Sequence, residues 1–85
     1  MFILSKNGDQ LVKPVSIWTL DDIKWIEDEK FTYTTILMND GRKTFEMGTY
    51  EKKYAQIQIN RIMSELNSNT RAIKMFTDED IKKFK

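Results

Sequence analysis

Residues 31–38, Phe31-Thr32-Tyr33-Thr34-Thr35-Ile36-Leu37-Met38, are rich in β-branched and aromatic types and read as a strand. Asn39-Asp40-Gly41 follows, and Asp-Gly is a strong hairpin signal because glycine takes the positive φ of such turns without steric cost. Residues 43–47 then alternate, with Phe45 and Met47 on one face and Thr44 and Glu46 on the other, and give the partner strand. Gly48 and Thr49 break the pattern with residues suited to a helix start. From residue 51 to 66 the period changes: Ala55, Ile59, Ile62, Met63 and Leu66 form one stripe of an α-helix and predict an amphipathic helix lying on the sheet.

The same reading extends to both sides. Residues 1–5 form a strand closed by the turn pair Asn7-Gly8, and residues 10–12 pair back against it. Pro14 lacks a backbone donor and marks where the chain leaves that hairpin. Residues 15–20 are apolar and extended. Residues 23–26 fit either a strand or a helical turn after Asp21-Asp22, and the strand content of 31–38 favours a hairpin joined through the polar residues 27–30. After the helix, Asn67-Ser68-Asn69-Thr70 is a stop, residues 72–76 return as a short strand, and Thr77-Asp78-Glu79-Asp80 has capping-box spacing. The fold class expected is α+β: an antiparallel four- to five-stranded sheet packed on one face by a long helix, with a short C-terminal strand or helical turn. One domain spans residues 1–85, with 77–85 a candidate docking tail.

Composition narrows the chemistry. Eighty-five residues lie near the size at which one core only marginally holds a fold. There is no Cys, which removes disulfides and thiolates and fits a reducing compartment. There is no His, which removes the usual base near neutral pH and the commonest metal ligand. No arrangement of carboxylate, Lys, Tyr or Ser/Thr suggests catalysis, so a non-enzymatic protein without cofactor is expected. The acidic groups Asp21-Asp22, Glu27 to Glu29 and Asp78 to Asp80 lack the spacing of a calcium loop and suit turns and helix starts better. Fourteen basic residues face thirteen acidic ones, too even a balance for a general phosphate binder. The opening residues are apolar but without a basic leader, and too short to span a membrane; cytoplasmic location is the default.

The chain also resembles a loose group of small proteins encoded by phages and mobile elements of Gram-positive bacteria. The resemblance lies in Met47-Gly48-Thr49-Tyr50-Glu51 ahead of Ala55 and the Ile59, Ile62, Met63 pattern, in Ile3-Leu4-Ser5-Lys6-Asn7-Gly8-Asp9, and in Lys74-Met75-Phe76-Thr77-Asp78-Glu79-Asp80. It implies a genomic setting and a sheet-plus-helix fold, and no common activity.

Two binding surfaces are open on these residues. Trp18, Trp25, Tyr33 and Tyr50 are candidates to contact a protein partner, a host protein among them, since aromatic anchors dominate interfaces; Tyr50, just before the helix, is expected to be half exposed. The competing reading of these rings is core packing. Lys52, Lys53 and Arg61 are the candidates if the protein is instead a nucleic-acid-binding regulator, against the plainer reading of a solvated mixed-charge face. Ile57 lies off the helical stripe, and Ile36, Met38 and Trp25 point to a second apolar surface on the sheet. Self-association into a symmetric dimer is the economical way to cover such a surface.

Overall fold

In the computed structural model, which describes residues 1–66, 68 and 71–84, six strands divide into two three-stranded sheets around one long helix. The fold is α+β, as expected, but not through a single antiparallel sheet. β1 (Phe2–Leu4) lies between β2 (Leu11–Val12), antiparallel, and β6 (Ala72–Lys74), parallel. β3 (Ser16–Ile26), β4 (Glu29–Asn39) and β5 (Thr44–Glu51) form an antiparallel meander with β4 in the middle. α1 (Lys52–Glu65) crosses this meander, and α2 (Asp78–Lys82) follows β6.

The split between sheets originates at Met47. Opposite it the ladder slips, Ile36 pairing with Gly48 but Leu37 with Glu46, so Met47 is the extra residue of a β-bulge. Its carbonyl accepts the Lys6 N–H at 2.7 Å and ties the small sheet to β5. Gly48 therefore does not end the strand, as its composition suggested; the strand continues to Glu51, and α1 starts at Lys52 without a side-chain cap.

The core lies on the helix side of the large sheet and runs into the small one: Ile36, Met38 and Met47 meet Tyr54, Ala55 and Ile62 of α1, with Ile3, Val12, Ile73 and Met75 beyond. The inward face of α1 is rotated from the apolar stripe. Ala55 and Ile62 are buried and Ile59 partly so, but Met63 and Leu66 are exposed, and Tyr54 and Gln58 take the inward positions. Gln58 is buried because its amide is satisfied: Oε1 accepts the Phe76 N–H at 2.8 Å and Nε2 donates to the Tyr54 carbonyl. Ile36 and Met38 are fully buried, so they are not the uncovered apolar surface.

The capping box at α2 forms as its spacing predicts, Thr77 Oγ1 accepting from the Asp80 N–H and Asp80 Oδ2 from the Thr77 N–H. The Phe84 ring then sits 5.9 Å from that of Tyr54 and 5.3 Å from that of Phe76. Three residues of the expected helix stop, Asn67, Asn69 and Thr70, lie outside the described residues.

Candidate functional site

β3 and β4 are longer than the sheet they belong to. They pair from Ser16 and Asn39 out to Ile26 and Glu29, whereas β5 accompanies β4 only from Asn39 to Tyr33. Past Tyr33 the hairpin continues as a two-stranded arm, and the molecule measures 44 × 28 × 22 Å. The polar connection expected at 27–30 contracts to the two residues Glu27 and Asp28, at φ of 51° and 66°. Two consecutive positive φ values give a turn whose twist matches that of the strands, which keeps so long a hairpin in register.

β3 carries large apolar residues on both faces, in the three-stranded part of the sheet and on the arm. By strand alternation Trp18, Leu20 and Ile26 share one face with Asp22 and Lys24, while Ile23 and Trp25 share the other. Leu20 is 60 % exposed, Ile23 51 %, Trp25 69 % and Ile26 49 %. Large apolar groups grouped this way on one element mark a contact surface, unlike single scattered ones.

Of the candidate aromatic residues, three belong to this hairpin. Trp18 lies inside the three-stranded part, opposite Leu37, Trp25 near the arm's tip, and Tyr33 at the arm's base on the facing strand, under the Lys24 ammonium, 5.1 Å from the ring centre. Tyr50 is the exception, and the expectation that it is half exposed is corrected. Only 4 % accessible, it donates to the Phe76 carbonyl at 2.6 Å and lies beneath the Lys6 ammonium. Burial pushes its phenol well above the usual tyrosine range. Leu20, Ile23 and Ile26 were not among the candidates; the available signal was that both parities of one strand carry large apolar residues.

At the arm's base, Asp21 accepts from Thr34 Oγ1 at 2.7 Å and pairs with Lys52 at 3.0 Å. The Thr34 hydrogen bond, then Lys52, holds the Asp21 carboxyl below its ordinary value. A hollow of about 610 Å³ opens here between β3 and α1, but its charged groups already satisfy one another. The basic candidates do not converge. Lys52 is engaged by Asp21 and Lys53 faces Glu51 at 3.9 Å. Arg61 donates to the Lys74 carbonyl and stacks over Phe76. Among the described residues no three carboxylates gather as a metal site would require, no buried side-chain nitrogen or oxygen lacks a partner, and no helix is long and apolar enough to cross a membrane.

No protein-family model, curated protein or solved structure matches this chain.

Proposed function

We propose that this chain is a non-enzymatic protein-binding accessory factor of phage or mobile-element origin, which occupies the surface of a host protein in the cytoplasm and inhibits or modulates it. The observation that carries the reading is the arm: a projecting hairpin, whose outer strand carries large apolar residues on both faces, anchored on a body whose own core is closed. Trp18, Trp25 and Tyr33 supply anchors of the kind that dominate protein interfaces, and Leu20, Ile23 and Ile26 surround them with area that excludes water. The origin rests on the motif resemblance around Gly48 and Tyr50, and the cytoplasmic setting on the lack of Cys.

The test is capture from a Gram-positive lysate on the immobilised full chain, compared with a variant carrying Trp18→Ala, Trp25→Ala and Tyr33→Ala. A discrete protein retained through a high-salt wash and lost from the variant is the expected result. An identical captured set from both chains would remove the arm from the reading. Capture of nucleic acid alone, falling steeply with salt, would move the function to the nucleic-acid class.

A further inference from the structure

β3 is the outer strand of its sheet, paired with β4 alone. Its second edge, over Ser16–Ile26, meets no strand among the described residues. Edges of this length are usually protected by lysines, prolines or bulges. Pro14 precedes the strand, its pairing with β4 carries no bulge, and Lys24 is its one basic residue. We infer that the occupant of this edge is a second copy of the same chain, the two β3 strands pairing antiparallel about a two-fold axis at Ile23 and joining two three-stranded sheets into one. The inference deepens the reading above and rests on it in taking the arm as a protein-contacting element.

The register follows from charge. Around a two-fold axis, residues directly opposite share a face of the sheet, so the axis must pass a residue that faces its own copy. At Asp21, Asp22 or Lys24 the axis would set identical charges against each other. At Leu20 or Trp25 it brings no opposite charges together. At Ile23 it sets Asp22 against Lys24 of the other copy, and Lys24 against Asp22, with Leu20 facing Ile26 on either side. Opposite charges and apolar pairs placed directly across a ladder stabilise it. Neither Asp22 nor Lys24 makes an ion pair inside its own chain among the described residues; the Lys24 ammonium lies over the Tyr33 ring, and no acid neutralises it there.

An axis at Ile23 overlaps residues 20–26 of each copy, mostly where the hairpin has run past β5. Being antiparallel, the arms carry their bodies to opposite ends. The contact uses the same surface on both copies, so it closes as a dimer and does not propagate. The faces of the paired arms stay open above and below the joined sheet, although Trp25 then lies directly across the ladder from Asp21 of the other copy.

Sedimentation equilibrium on the full chain tests this with Asp22→Lys, Lys24→Asp and the double variant. The wild type is expected to dimerise. Each single reversal sets two pairs of like charges across the axis and should weaken the dimer about tenfold or more. The double variant restores both opposite pairs and should restore the dimer. An equimolar mixture of the two single variants should form a heterodimer, because one then carries Lys at both positions and the other Asp. A wild type that stays monomeric up to millimolar concentration overturns the inference. So does a dimer indifferent to either reversal, or a double variant and mixture that do not recover while every variant melts like the wild type. The two readings separate in the capture experiment: a monomeric Asp22→Lys chain keeps all three aromatic residues, so retention of the same host protein would uphold the accessory-factor reading without self-pairing. A charge-dependent dimer that captures nothing would do the reverse.

Discussion

Gly48 shows how one residue holds two sheets together. Its φ is +159°, and a Cβ placed on it would lie 2.8 Å from Tyr50 Cε2 and 2.9 Å from Lys6 Cβ. Those two neighbours form the joint: Lys6 donates its backbone N–H to Met47 and its ammonium to the Thr49 carbonyl, and Tyr50 reaches across to Phe76. The Tyr50 ring is buried and cannot retreat without leaving its acceptor. Gly48→Ala should therefore cost about 2 kcal/mol, in the range of overpacked cores, and lower the melting temperature by roughly 10 °C for a domain of this size. A variant that melts with the wild type would mean that the close approach at the bulge is not a constraint.

At the scale of elements, the turn of the arm is the clearest case of sequence and geometry in tension. Glu27 and Asp28 both hold positive φ, a conformation that asparagine and glycine adopt far more readily than glutamate. Replacing them with Asn-Gly should stabilise the arm by about 1 kcal/mol. Because the arm lies outside the core, the gain should appear as roughly fivefold slower hydrogen exchange of arm amides, with little change in global melting; unchanged exchange would show that the turn is unstrained. The same distinction between local and distant causes explains what the sequence disclosed. The β4–β5 hairpin, α1 and the α2 cap were legible because each rests on local periodicity or spacing, whereas β3 reads in sequence as two pieces, 15–20 and 23–26, and runs unbroken through Asp21-Asp22. The division into two sheets was not, since it depends on a bulge and on Lys6 meeting Met47, forty-one positions apart in the numbering. The inward rotation of α1 was hidden because Gln58 counts as polar in any pattern, although Phe76 satisfies it. Tyr50 was misplaced for the related reason that Gly48 looks like a strand end. Trp18, Trp25 and Tyr33 were identifiable by type, but only the pairing of β3 with β4 puts them on one hairpin.

The whole molecule separates into a body that holds the fold and an arm that adds little to it. The buried apolar cluster draws on both sheets and α1, and within the large sheet it begins at Tyr50, opposite Thr34, and proceeds away from the arm. Ile23, Trp25 and Ile26 remain about half exposed or more, so their removal forfeits little of the burial that drives folding. Deleting residues 23–32 and joining Asp22 to Tyr33 through Asn-Gly closes the hairpin on a pair already opposed in the ladder. The cut removes four pairs, so the alternation of hydrogen-bonded and non-bonded positions is preserved and the turn meets the geometry it requires. The shortened chain should fold cooperatively and melt within a few degrees of the wild type, judged by the few degrees expected for each kcal/mol lost. It should also lose self-association and partner capture together, since it lacks both the free edge at Ile23 and the Trp25 anchor. Thermal unfolding followed by circular dichroism decides the point: a shortened chain that is unfolded would make the arm part of the folding unit. A stable one would identify it as an element kept for contact.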